Sequence, residues 1–217
     1  MNRRALLAAA LALVAAPALA EGPQPSQKTV EAGKLFPYLA HYLKLPPADR
    51  DRWTLVYEFS FDGKPASGVQ GWIDDGGRRV PITFGPGGRA LTLPTLAQLN
   101  AKRQMGLDVP SGTKLNVSLR PEPTLKPAPE LAAAELIAAL QQAGRGARKA
   151  APMMLRAVIP KFDTVYLPGA QGAEVVAADG RATPLPVEKG TPVFRPSQHP
   201  TAAKLRFATP PRRMALG

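Results

Sequence analysis

The two histidines, His41 and His199, are the side chains of this chain best suited to proton transfer near neutral pH. Apolar residues with the spacing of one helix face surround His41, so a packed or surface histidine is expected there. His199 precedes Pro200 in a predicted loop, where exposure to solvent is expected. No serine has the G-x-S-x-G context of a strained nucleophile turn. We therefore predict no catalytic residue and no enzyme activity.

Three aspartates beside glycines, Asp62, Asp74 and Asp75, are the other candidates for chemistry. Converging carboxylates could serve glycoside hydrolysis or bind calcium. A calcium loop places oxygen ligands at every second residue, and residues 74–77 lack this spacing. Aspartate next to glycine is typical of tight turns, so turn formation is the expected role. We predict no metal site, and keep a small periplasmic hydrolase that uses these carboxylates as an alternative.

The glycine-rich segment 85–89 offers backbone amides and the side chain of Arg89 to a phosphate group. Pro86 removes one of these amides, and no helix start with Lys followed by Ser or Thr comes after it. The chain has no cysteine, which excludes thiol catalysis and cysteine-bound metal or iron–sulfur sites. We therefore expect no nucleotide and no cofactor.

Large apolar residues stand at every second position of 53–61, the pattern of a strand with one buried face. They are Trp53, Leu55, Tyr57, Phe59 and Phe61, a density of aromatic residues found in no other segment. The strand is therefore the predicted centre of the core. Trp53 and Tyr57 could form a stacking platform only if that face were open. Trp72 is the better exposed candidate for binding a ligand.

Helices and further strands must surround this central strand. A first helix is predicted from the apolar spacing of 35–43, with its end at Pro46. A second is predicted from Pro129 to Gly144, because glycine commonly follows the last turn of a helix. A short helix at 96–105 is a third candidate. The predicted strands are 69–73, 80–84, 91–93, 114–119, 155–159, 164–167, 174–177 and 204–207.

These elements predict a mainly β protein with one or two helices, of the α+β class, with sandwich-like antiparallel sheets. Both halves contain a helix, an Asp-Gly turn (Asp75-Gly76 and Asp179-Gly180) and a strand marked by proline (Pro81 and Pro184), which favours two similar lobes. One β-rich domain with similar hairpins is the alternative. The predicted division is a signal peptide at 1–20, a flexible N-terminus at 21–34, a helix and β lobe at 35–120, a proline-rich linker at 121–129, a helix and β lobe at 130–209, and a flexible tail at 210–217.

The N-terminal segment has the three parts of a secretory signal: two arginines, an apolar run and an A-x-A cleavage site before Glu21. The apolar run is too short to span a bilayer, and no later segment reaches that length. We therefore predict a soluble periplasmic protein that does not span the membrane. Cysteine is absent, so packing alone must hold the fold in an oxidising compartment.

The formal net charge is +12, and its densest clusters name the candidate binding residues. Together with Trp72 they are Arg78, Arg79, Arg145, Arg148 and Lys149. Such charge is often only a solvated surface, but in the cell envelope it also favours an anionic partner such as phospholipid or a wall polymer. Nucleic acid is disfavoured by the export signal.

The sequence thus predicts an exported, non-catalytic binding or adaptor protein of the bacterial cell envelope. Its partner is expected to be an anionic envelope component or an extended peptide added to a strand edge. A structural envelope protein is a further alternative, beside the hydrolase.

Overall fold

The structure of this chain is a computed structural model that describes residues 27–110, 112–151, 159 and 161–217. The predicted signal peptide and residues 155–158 of one predicted strand lie outside the described residues. The first strands are β1 (Gln27–Glu31), β2 (Trp53–Phe61), β3 (Lys64–Pro65), β4 (Gly71–Asp75), β5 (Arg78–Ile82), β6 (Gln104–Asp108) and β7 (Leu115–Pro123). The later ones are β8 (Glu130–Ala132), β9 (Val165–Tyr166), β10 (Glu174–Ala177), β11 (Ala182–Pro184), β12 (Val187–Glu188), β13 (Thr191–Phe194), β14 (Ala202–Arg206) and β15 (Ala215–Leu216). The α-helices are α1 (Ala32–Leu35), α2 (Leu39–Leu43), α3 (Leu96–Asn100) and α4 (Ala133–Ala150).

The described strands form four antiparallel sheets. Three sheets have four strands, in the orders β1-β6-β4-β5, β11-β10-β14-β8 and β12-β13-β9-β15, and the fourth has the order β3-β2-β7. The predicted α+β class, mainly β with sandwich-like antiparallel sheets, is confirmed. The proline-marked strands β5 and β11 lie at sheet edges, as expected for a residue that cannot donate to a neighbouring strand.

Strand β2 is the centre of the core, as its alternation predicts. Trp53, Tyr57 and Phe59 are at most 2% exposed. Strand β7 pairs with all nine residues of β2, and places Leu119 opposite Tyr57. The ring of Phe36 lies 5.0 Å from that of Tyr57 and 5.4 Å from that of Phe59. Aromatic contacts of this kind stabilise a core beyond the area that they bury.

Helix α4 does not end at Gly144 as predicted, but continues to Ala150. Gly144 and Gly146 are both buried inside it, where small residues let the helix approach the core. The helix contacts β2, β7, β8 and β14. Buried residues from 35–120 and from 130–209 belong to one apolar cluster, so the two predicted lobes share a core.

The predicted first helix is broken into α1 and α2. Tyr38 has a left-handed backbone with a φ of 63°, and the preceding Pro37 lacks an N–H for a helical hydrogen bond. Leu39 and Tyr42 are still buried, so the apolar spacing identified the correct inward face. The predicted helix at 96–105 is also shorter, because Lys102 turns the chain with a φ of 51° into β6.

Three segments predicted as flexible or as a linker contain strands. Residues 27–31 form β1, which pairs with β6 through backbone bonds that the polar sequence does not reveal. Residues 121–123 of the predicted linker belong to β7, and β8 begins at Glu130, directly after the predicted linker. In the predicted tail, β15 pairs with β9, and Met214 and Leu216 are buried.

Candidate functional site

An apolar groove of about 340 Å³ opens between α2, the β2–β7 pair and the last turns of α4. Among the described residues, no carboxylate and no cation belongs to its lining. The lining residues are Tyr38, Tyr42, Trp53, Leu55, Leu119, Pro121, Ala147, Ala150, Ala151, Ile159 and Phe162. Such a cavity falls in the range of about 300–1,000 Å³ that is usual for small-molecule sites.

The strand pairing explains why these residues meet. Trp53 and Leu55 share the core face of β2, and Pro121 of β7 lies opposite Leu55 in the strand pairing. Alanines at 147 and 150 of α4 leave space above these side chains, because a methyl group cannot reach across the groove. The alternation on β2 and the alanine-rich end of α4 therefore produce an apolar hollow at their junction.

The polar atoms of Tyr42 and Trp53, two aromatic residues of the groove, bond to the backbone. Tyr42 Oη donates to the carbonyl of Trp53 at 2.9 Å, and Trp53 Nε1 donates to the carbonyl of Asp49 at 3.0 Å. The Arg50 guanidinium lies 5.6 Å from the centre of the Tyr42 ring. These bonds fix the rings, so that the surface left toward the groove is hydrocarbon.

Tyr38 stands at the mouth of the groove, with 55% of its surface exposed. Its left-handed backbone is unusual for a bulky residue and costs about 1–3 kcal/mol. The preceding Pro37 is held in place, because Tyr57 Oη donates to its carbonyl at 2.6 Å. Burial raises the pKa of the Tyr57 phenol far above its ordinary range, so this donor stays protonated.

Arg145, Arg148 and Lys149 lie within the last turns of α4, and not beyond its end as predicted. Lys149 forms an ion pair of 2.8 Å with Asp49. Arg145 and Arg148 are exposed and have no ion pair with any described residue. Gly144 borders both the Arg148 guanidinium and Phe162, which lines the groove. The Arg148 guanidinium therefore lies close to Phe162, a residue that lines the groove, although Arg148 is not itself part of the lining.

The other predicted binding residues lie on the β4–β5 hairpin. Trp72 is half-buried, and its indole covers Gly106 so closely that a side chain there would overlap it. The Arg79 guanidinium lies 4.4 Å from the centre of the Trp72 ring, and Arg78 is exposed. Since Arg79 covers the indole, Trp72 is a less open platform than expected.

The three candidate aspartates serve turns and ion pairs. Asp62 accepts from the Lys114 N–H at 3.0 Å, and Asp74 accepts from the Gly77 N–H at 3.0 Å. Asp75 pairs with Arg103. Among the described residues, no group of three or more histidines, aspartates or glutamates is placed to hold a metal ion.

The two histidines lie on different elements. His41 is exposed on α2. His199 is half-buried rather than exposed, because its ring stacks on Phe194 with the two centres 6.0 Å apart. Phe194 ends β13 and His199 follows the next turn. The contact depends on how that turn folds back, which the sequence pattern did not show.

A second cavity, of about 460 Å³, lies on the opposite face of β2 and was not predicted. Glu122 is 6% exposed there, and its Oε2 accepts from Arg89 Nη1 at 2.8 Å. Glu58 lies nearby on the same face of the β2–β7 pair, in ion pairs with Arg120 and Arg213. Alternation of Arg120 and Glu122 along β7 would have indicated this charged face, had residues 121–123 been recognised as strand.

No helix within the described parts of the chain is long and apolar enough to cross a membrane. Comparisons with known proteins give no assignment: no family model, curated protein or solved structure matches this chain.

Proposed function

We propose that this chain is an exported, non-catalytic binding protein of the bacterial cell envelope, whose groove holds the hydrocarbon chain of an anionic amphiphile such as a fatty acid. The observation that carries the proposal is the apolar groove with Arg148 close to its lining residue Phe162. The secretory pattern of residues 1–20 supports the location.

The lining of the groove favours a hydrocarbon chain over a polar ligand. Aliphatic and aromatic carbons form its walls, and the polar atoms of Tyr42 and Trp53 are already bonded to the backbone. Each methylene removed from water contributes about 0.8 kcal/mol, so a chain of several methylenes is enough for binding. A polar ligand would lose its water here without gaining hydrogen bonds.

Arg148 favours an anionic headgroup. Arg148, near Phe162, is exposed and forms no ion pair with a described residue, whereas Lys149 is neutralised by Asp49. An arginine guanidinium is suited to a planar carboxylate, which it binds through two parallel hydrogen bonds. The hydrolase alternative gains no support, because Asp62, Asp74 and Asp75 are engaged in turns and ion pairs.

The test is a titration with three probes of equal chain length: dodecanoate, dodecanol and dodecyltrimethylammonium. We expect dodecanoate to bind tightest. Arg148→Ala should weaken dodecanoate binding by roughly 1 kcal/mol, about fivefold, and leave dodecanol unchanged. Ala150→Leu should weaken binding of all three probes by filling the groove, whereas Ala134→Leu, on an exposed part of α4, is the matched control.

Equal affinity for the three probes, or no binding, would contradict the proposal. If Arg148→Ala loses stability but not affinity, Arg148 only complements the helix dipole. Dimerisation that Ala150→Leu abolishes would assign the groove to a second copy of the chain.

The location has its own test. The mature protein recovered from the cell envelope should begin at Glu21, as determined by N-terminal sequencing. A full-length chain that retains Met1 in the cytoplasm would contradict the predicted export.

A further inference from the structure

The cavity on the opposite face of β2, here called the Glu122 cavity, is lined by more cations than anions. It is lined by Thr54, Arg89, Glu122, Pro123, Thr124, Leu125, Lys126, Pro127, Arg212, Arg213 and Met214. Two of its cations have a carboxylate partner, since Arg89 pairs with Glu122 and Arg213 pairs with Glu58. The excess positive charge that remains favours an anion.

Lys126 and Arg212 supply this excess charge. Both are exposed, and within the described chain neither forms an ion pair. They come from distant parts of the sequence, the segment between β7 and β8 and the segment before β15, and meet only in the folded protein. An anion that contacts both would link these two segments.

Glu122 restricts which anion fits. Its side chain is 8% exposed, and while Oε2 accepts from Arg89, the buried Oε1 has no hydrogen-bond partner among the described residues. A buried carboxylate oxygen without a donor destabilises the fold, and a ligand whose donor reaches this oxygen after a rotation of the carboxylate toward the cavity would remove this cost. A carboxylate also repels an anion that carries no proton.

We infer that the Glu122 cavity binds a phosphate group that retains a proton, with Lys126 and Arg212 contacting its charged oxygens and Glu122 accepting its O–H. Free phosphate and the terminal phosphate of a monoester share this chemistry. Sulfate has the same shape but no proton near neutral pH, so the cavity rejects it. The inference is independent of the proposed amphiphile site, because Thr54 lines this cavity whereas Trp53 and Leu55 line the groove on the other face of β2.

The test is a calorimetric titration of the mature chain with inorganic phosphate and with sulfate at equal ionic strength and pH 7. We expect phosphate to bind at least about tenfold tighter, since a site that accepts a ligand proton discriminates against analogues without it. Glu122→Gln should weaken phosphate binding and strengthen sulfate binding. Replacing both Lys126 and Arg212 by alanine should weaken both, by about tenfold or more.

The control replaces two exposed cations elsewhere, Lys64→Ala with Arg181→Ala, and should leave both affinities unchanged. Because Lys126 and Arg212 are exposed, their double variant still tests the site if Glu122→Gln loses stability. Ala150→Leu, which fills the amphiphile groove, should not change phosphate binding. Failure of one site is therefore distinguishable from failure of the other.

Two further probes identify the source of the phosphate. Glycerol 3-phosphate loses its last proton at about pH 6, so its affinity should fall as the pH rises past 6, whereas inorganic phosphate keeps a proton. Vesicles containing phosphatidic acid present the same group on a lipid, and binding to these vesicles alone would assign a lipid headgroup. Equal binding of phosphate and sulfate, or phosphate binding unchanged by loss of Lys126 and Arg212, would overturn the inference.

Discussion

Gly146 of α4 lies directly against the indole of Trp53 on β2. A Cβ atom built at Gly146 would stand 2.8 Å from Trp53 Cζ2 and 3.1 Å from the carbonyl oxygen of Asp49. Trp53 is 2% exposed and its Nε1 donates to that same carbonyl, so the indole has little freedom to move away. The contact sets the distance between helix and sheet, and with it the width of the apolar groove.

Gly146→Ala should therefore destabilise the protein, although alanine favours helices. We expect a loss of about 1–3 kcal/mol from overpacking, partly offset by about 1 kcal/mol of helix propensity. Gly144→Ala is the matched control, because a Cβ there meets only ordinary contacts of 3.6 Å or more, and should be neutral or stabilising. Urea unfolding of both variants measures the difference. Equal stability of the two variants would show that the Trp53 indole moves aside at little cost in free energy.

Phe59→Ala should be among the most destabilising single changes in β2. Phe59 is 1% exposed, and its ring centre lies 5.1 Å from that of Phe84 and 5.4 Å from that of Phe36. Loss of such a side chain costs about 3–5 kcal/mol, a large fraction of a domain's stability. Phe61→Ala, at the half-buried end of the strand, should cost less. A loss below about 1 kcal/mol at Phe59 would show that this face is not the core.

The sequence predicted the fold where local pattern and burial agree. The alternation of apolar residues predicted both end residues of β2 correctly. The Asp75-Gly76 and Asp179-Gly180 turns predicted the hairpins β4–β5 and β10–β11. It failed where backbone pairing decides structure without an apolar pattern, as in β1 and β15. It also failed at Gly144, because a glycine that permits close packing and one that ends a helix look the same in sequence.

The sequence predicted only part of the candidate site. The cations of α4 were predicted because they cluster in sequence, and one of them, Arg148, lies near Phe162 of the groove lining. The groove itself joins residues from Tyr38 to Phe162, and the Glu122 cavity joins Thr54 to Met214. Both arise from contacts between distant segments, which no local pattern encodes.

Tyr57 should make the protein sensitive to alkali. Burial holds its phenol protonated in the folded state, whereas in the unfolded chain a tyrosine ionises at about pH 10. Because the folded pKa is raised, the contribution to stability is complete below pH 10 and is lost as the pH rises above it. Tyr57→Phe should lower stability at pH 7 by about 0.5–1.5 kcal/mol, through loss of the bond to Pro37, but should reduce the decline above pH 10. Chemical unfolding at pH 7, 10 and 11 is the measurement, and parallel declines in both proteins would contradict this account.

The C-terminal segment should be a structural part of the fold and not a dispensable tail. Leu216 is 4% exposed and pairs with Val165 across β9, and the terminal Gly217 carbonyl accepts from the N–H groups of Asp163 and Thr164 at 2.9 and 2.8 Å. Leu216→Ala removes buried methyl groups and should cost about 2–5 kcal/mol, measured by urea unfolding. Val187→Ala, on the exposed edge strand β12, is the control and should change stability by less than about 0.5 kcal/mol. If the two variants were equally stable, β15 would not be held on β9 in solution.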